Sequence, residues 1–198
     1  MAVQRVRVFP DPELRRVSGE VTLPDESVQA LVRDMFQIMG EEGGIGLAAP
    51  QVGVLKRVIV VSVEERGFER LALINPVIVF SSRETVVFDE GCLSIPGVRA
   101  DVERPSRVVV RGITKSGRLV EITAADLLAR VLQHEIDHLD GILFIDRLKP
   151  EERQKVDRDL QVLARSVLKD PVHADPTSEG SALKGAALQA QPFRTASS

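Results

Sequence analysis

The sequence predicts a domain of mixed helix and strand organised around one buried helix, and three features predict it. Runs rich in valine and isoleucine recur between residues 56 and 122, a composition that suits strands. Residues 124–140 carry apolar side chains on more than one face, at Leu127, Leu128, Val131, Leu132, Ile136 and Leu139, which marks a helix enclosed by other elements. The stretch that begins at Pro150 instead lines one side with Val156, Leu160, Leu163 and Val167, the pattern of a helix packed on a surface.

The elements follow in order. A first helix over 27–39 is predicted by Val28, Leu31, Val32, Met35, Ile38 and Met39 at helical offsets, with Pro24-Asp25 as the start signal. Glycines at 40, 43, 44 and 46 end that pattern, and the segment after them reads as a loop. Strands are expected over 56–63, 71–80, 84–89 and 107–113, with 119–122 as a returning strand after the turn Lys115-Ser116-Gly117. Pro76 places an edge or an interruption in the second of these. Thr123 is the expected N-cap of the buried helix, Asp126 suits its first turn, and Gly141 is its stop. Pro150 suits the first turn of the last helix. After Pro171 the composition turns to Ala, Ser, Gly, Pro and Thr. The expected organisation is therefore a single catalytic domain over 1–170 and a flexible tail over 171–198.

Composition narrows the function. Lys and Arg number 26 against 29 Asp and Glu, for a net charge of −3, so there is no basic footprint for nucleic acid. No apolar run has membrane-spanning length, and the N-terminus lacks the apolar core of a secretory signal. A single cysteine gains nothing from an oxidising compartment, which favours the cytoplasm.

The chemistry is concentrated in His134-Glu135-Ile136-Asp137-His138. Two of the three histidines in the chain stand at i and i+4, so both imidazoles share a helix face and can reach one metal ion. A hydrogen-bonded pair of core histidines is the plainer alternative, but an apolar helix desolvates both rings and a metal compensates for that. Glu135 lies where a hydrolytic acid/base belongs. Asp137 points to another side and suits a supporting hydrogen bond, while Gln133 faces either solvent or the site. A third ligand is still required. Cys92 would supply a soft thiolate and complete a His-His-Cys set; Asp140, Asp146, Glu151, Glu152 and His173 compete with it. In Gly44-Ile45-Gly46-Leu47-Ala48-Ala49-Pro50-Gln51, small residues allow close approach of a substrate backbone. The amide of Gln51 can donate to a developing oxyanion.

That segment, Glu90-Gly91-Cys92-Leu93-Ser94, and Gln133-His134-Glu135-Ile136-Asp137-His138 together resemble the three signature motifs of the peptide deformylases, in the family's order. Phe9-Pro10-Asp11-Pro12-Glu13-Leu14-Arg15 is similar to that family's N-terminal segment, and the likeness runs over residues 4–165. The resemblance implies an α+β fold with antiparallel strands around a central metal-binding helix and a C-terminal amphipathic helix. It implies removal of the formyl group from N-formyl-methionyl nascent polypeptides, with release of formate. On the same ground Cys92, His134 and His138 are the metal ligands and Glu135 the catalytic acid/base. Gln51 and the N–H of Leu93 would hold the oxyanion. Backbone groups of Ile45, Gly46 and Gly91 would pair with the peptide as an added strand, with Arg99 near its backbone. The metal implied is Fe2+, with Zn2+ or Ni2+ as substitutes. Leu127 and Val131 share the face of His134 and, with Ile45, would wall a pocket for the methionine side chain.

Two rival readings make distinct demands. A zinc endopeptidase would take its third ligand downstream of His138 and dispense with Cys92. A metal-stabilised peptide-binding module would dispense with Glu135. Action on nascent chains also suggests a ribosome contact for the last helix, because residues 147–169 hold seven basic and four acidic side chains.

Overall fold

The computed structural model describes residues 5–22, 24–63 and 70–169. The expected tail, and with it His173, lies outside the described residues. The fold is α+β, as the resemblance implied, with every strand pairing antiparallel.

Helix α1, Glu26–Glu41, starts where Asp25 accepts a hydrogen bond from the Val28 N–H, and it buries all six of the apolar residues expected to face inward. β1, Gly46–Ala48, follows; it was expected to be loop, and its three residues pair with Val61, Val60 and Ile59 of β2, Val58–Val61. β3, Leu71–Ser81, joins β2 to β6, Arg107–Ile113, and β7, Leu119–Ala125, completes a five-stranded sheet in the order β1-β2-β3-β6-β7. β4, Thr85–Cys92, and β5, Ile95–Pro105, form a separate two-stranded sheet.

Pro76 is an interruption and not an edge. β3 is central, and its register with β6 shifts between Ile74 and Val77, which accommodates a residue that cannot donate to a ladder. Asn75 there has φ of 50°, and its side-chain amide closes the local gap by bonding the N–H and the carbonyl of Val21 at 2.9 and 2.8 Å.

Strand alternation explains the layering. Val58 and Val60 turn toward α1, while Ile59 and Val61 turn toward helix α2, Asp126–Leu139. α2 is therefore enclosed, and twelve of its residues from Leu128 to Leu139 are buried. Its start differs from expectation. Thr123 belongs to β7, paired with Val109, and Ala125 is the N-cap; the ladder to β6 runs to Arg107–Ala125 and engages the backbone that a cap would have used. The stop is as expected, with Gly141 at φ 71° just past the helix. Helix α3, Pro150–Lys169, lays Val156 and Leu160 on β5, sharing a core with Val98, Ala100 and Val102.

Like β1, β5 is a strand that the sequence reading did not find, although Val98, Ala100, Val102 and Arg104 alternate inward along it.

A Cβ on Gly141 would come within 2.5 Å of the Arg15 carbonyl oxygen, whereas one on Gly117, also at positive φ, would meet nothing within 4 Å. Denaturant unfolding should therefore show Gly117→Ala costing about 1–2 kcal/mol for the left-handed backbone alone, and Gly141→Ala clearly more. Equal losses would contradict the packing role of Gly141.

Candidate active site

The site forms where the β4–β5 hairpin meets α2. Cys92 ends β4, and His134 and His138 are successive turns of α2. Their ligating atoms all lie within 4.8 Å of one another, the one group among the described residues spaced to hold a metal ion. Cys92 Sγ is 3.3 Å from His138 Nε2, and the two imidazole rings stand edge to face at 5.0 Å. The competing third ligands are engaged elsewhere or are not part of this cluster. Asp140 pairs with Arg57 at 2.6 Å, Asp146 with Arg15, and Glu152 with Lys155, while Glu151 opens the exposed start of α3.

The donor set suits a divalent metal. One sulfur and two imidazole nitrogens match a borderline or soft cation. His134 donates through Nδ1 to Glu90 Oε2 at 3.0 Å, which fixes the ring and leaves Nε2 as its ligating atom. Burial, and then the neighbouring His134, push His138 well below its ordinary value, so its imidazole stays neutral with a lone pair to offer. Burial opposes charge on His134 as well, but its hydrogen bonds to Cys92 and Glu90 outweigh it and raise that ring.

Behind this cluster is a buried charge network absent from the sequence reading. Glu90 receives Arg104 Nε at 2.6 Å, Arg104 Nη2 at 3.0 Å and Arg130 Nη1 at 2.6 Å. Burial disfavours its charge, but the bonds from His134 and Arg104 win and hold the carboxyl down at about 2. Arg104 continues to Asp137 at 2.8 Å, and Arg147 closes on that carboxylate at 2.6 Å, so Asp137 plays the supporting part expected of it. Gln133 faces neither solvent nor the metal ligands: it is buried and donates to the carbonyls of Pro105 and Ala129.

A cleft of about 630 Å³ opens in front of the Cys92–His134–His138 cluster. Ile45, Gly46, Gln51, Gly91, Cys92, Leu93, Arg99, Leu127, Val131, His134 and Glu135 all line it, so eleven of the twelve expected site residues share one cavity. His138 is the twelfth and lies behind, 1% exposed. Leu127 and Val131 also pack in the main core. Arg99 is exposed and paired with Asp89, which places it at the rim. Glu135 is buried, and its Oε2 has no hydrogen-bond partner among the described residues. Burial, only partly offset by His134, pushes it up to about 7, where a carboxyl can both take and return a proton. Gly46 is glycine for a steric reason, since a Cβ there would run into the Glu135 carboxylate.

Comparison with known proteins points to one family. The family model described as polypeptide deformylase matches residues 3–154. The chain is 45% identical to a peptide deformylase of Cellvibrio japonicus over 156 residues, which is 79% of this chain and 92% of that protein. It is 46% identical to a peptide deformylase of Thermodesulfovibrio yellowstonii, covering 78% and 94%. A crystal structure of peptide deformylase from Plasmodium falciparum superposes with a TM-score of 0.80 at 39% identity, covering 86% of this chain and 100% of that one.

Glu90→Gln keeps the shape but weakens the anchor of His134. Competition with a chelator should show zinc affinity falling by roughly 10–100-fold, with the fold retained by circular dichroism. Unchanged affinity would mean that Glu90 does not orient the ligand.

Proposed function

The chain belongs to the polypeptide deformylase family, a hydrolase family that removes the N-formyl group from nascent polypeptides, and we propose that Cys92, His134 and His138 hold the metal with which it does so. The observation that carries the assignment is the 4.8 Å cluster of one sulfur and two imidazoles, of which Cys92 and His134 line the cleft. Bound there, a divalent metal supplies Lewis acidity, polarising a carbonyl and lowering the pKa of water. The ion is proposed to be Fe2+, with Zn2+ or Ni2+ able to replace it; the soft thiolate and borderline imidazoles are compatible with all three.

The protein's own residues do the rest. Glu135 takes a proton from water as its oxygen bonds to the formyl carbon. Gln51 Nε2 and the Leu93 N–H donate to the oxygen on which charge develops. Glu135 then returns the proton to the departing amine as the C–N bond breaks, leaving formate and a free α-amino group. Backbone groups of Ile45, Gly46 and Gly91 align the peptide as an added strand across the cleft, with Arg99 beside it at the rim. Leu127, Val131 and Ile45 enclose the methionine side chain. The catalytic unit is proposed to be a single domain over residues 1–170, acting in the cytoplasm; no helix among the described residues is long and apolar enough to cross a membrane.

Formate release from a formyl-methionyl peptide tests this reading. Cys92→Ala should lose both bound metal and formate release, and Glu135→Ala should keep the metal while losing at least about 100-fold in rate. Metal retained in Cys92→Ala would favour the endopeptidase set of ligands instead.

A ribosome contact through α3 and the residues leading into it is proposed from the modest basic excess of residues 147–169, seven basic against four acidic side chains. Val156 and Leu160 are core residues, so the test is charge reversal at exposed Arg158, Arg165 and Lys169 and not removal of the helix. Ribosome co-sedimentation at low salt should fall in the triple variant; equal pelleting would sink the idea.

A further inference from the structure

We infer that Ser94 is a positioning residue that sets the direction in which the Gln51 amide donates, an inference that rests on the oxyanion role proposed for Gln51. Ser94 is 0% exposed and Gln51 2%. Gln51 Oε1 accepts the Ala48 N–H at 2.7 Å. A flipped amide would set its NH2 against that donor, so the orientation is fixed. Gln51 Nε2 then donates to Ser94 Oγ at 3.1 Å and, over a longer 3.5 Å, to Cys92 Sγ. A primary amide carries two N–H donors. With one directed to Ser94, the other faces Cys92 Sγ in a long contact on the wall of the cleft that Gln51 and Cys92 line. It is this N–H that a developing oxyanion would draw away from the sulfur.

The backbone holds both partners in place. Two residues apart in the N-terminal segment, Arg7 donates its N–H to the Gln51 carbonyl at 2.6 Å and Phe9 donates its N–H to the Ser94 carbonyl at 2.8 Å. One stretch of chain thus stitches the turn after β1 to the turn after β4. Without the Ser94 hydroxyl the amide keeps its restraint at Oε1 but has only the longer contact to Cys92 Sγ on its donor end. It then turns further toward Cys92 Sγ, and the second N–H leaves the line of the developing charge. A donor misaimed in this way weakens transition-state binding more than substrate binding.

The experiment is a double-mutant cycle on the metal-loaded enzyme, with formate release from a formyl-methionyl peptide as the readout and metal content and melting temperature measured beside it. Gln51→Ala should lower kcat about 100-fold, as loss of an oxyanion donor does. Ser94→Ala should lower kcat by roughly five- to tenfold, a fraction of that full loss, with KM within about twofold and metal content unchanged. The double variant should be no slower than Gln51→Ala alone, because both changes act through one amide. Ser94→Cys, which keeps the volume but is a weaker acceptor, should fall between wild type and Ser94→Ala and guards against a packing effect. Wild-type kcat in Ser94→Ala, or losses that multiply in the double variant, would overturn the positioning role. Wild-type kcat in Gln51→Ala would overturn the oxyanion reading as well, and so separates the two failures.

Discussion

The Glu90 carboxylate is the fixed point from which the site is built. It sits on β4 two residues before Cys92, bonds Arg104 of β5, and bonds both Arg130 and His134 of α2. Each of its oxygens therefore ties the hairpin to the helix, and the distance between the thiol and the imidazoles follows from those ties. Arg104 and Asp137 extend the same constraint, and Arg147 carries it to the segment that leads into α3. Burying several charges together is costly, and an apolar cluster of equal volume would stabilise a domain as well or better. Breaking the network is another matter: removal of one partner from a buried pair costs about 3–5 kcal/mol, against a total stability of about 5–15 kcal/mol. Its benefit here is placement. An apolar contact tolerates sliding, whereas a carboxylate shared by two guanidinium groups and an imidazole has one arrangement.

The cleft shows the same division between what is anchored and what is left open. Glu90 is saturated with partners and held ionised near 2. Glu135 has an oxygen with no hydrogen-bond partner among the described residues and is pushed up to about 7. Two buried carboxylates near His134 are thus driven apart by environment, one serving as an anchor and the other free to exchange a proton. The glycine at 46 makes room for the second of them.

How much of this was legible in the sequence depended on whether the signal was periodic. The six inward residues of α1, the enclosure of α2 and its stop at Gly141 all followed from spacing and cap chemistry. The ligand trio was legible in part: His134 and His138 from their i, i+4 spacing, Cys92 only as one of several candidates until the family likeness singled it out. β5 was hidden because Pro96, Gly97 and four charged residues dilute its apolar content, although its alternation was present and one inward position is an arginine. β1 is too short for a pattern. The start of α2 was misplaced because Thr123 reads as a cap locally and is a strand residue in the sheet. Glu90, Arg104 and Arg130 carried no local signal. An acid on one strand and bases on another strand and a helix become a network only when the fold brings them together; the one available hint was an arginine in the middle of an apolar helix.

The central claim is that one thiolate and two imidazoles share a metal ion. X-ray absorption at the zinc edge of the zinc-loaded protein tests it most directly, with Cys92→Ser as the comparison. The account predicts a single sulfur neighbour at roughly 2.3 Å with nitrogen or oxygen neighbours near 2.0–2.1 Å, and loss of the sulfur component in the variant. A zinc shell of nitrogen and oxygen alone in the unaltered protein would contradict it.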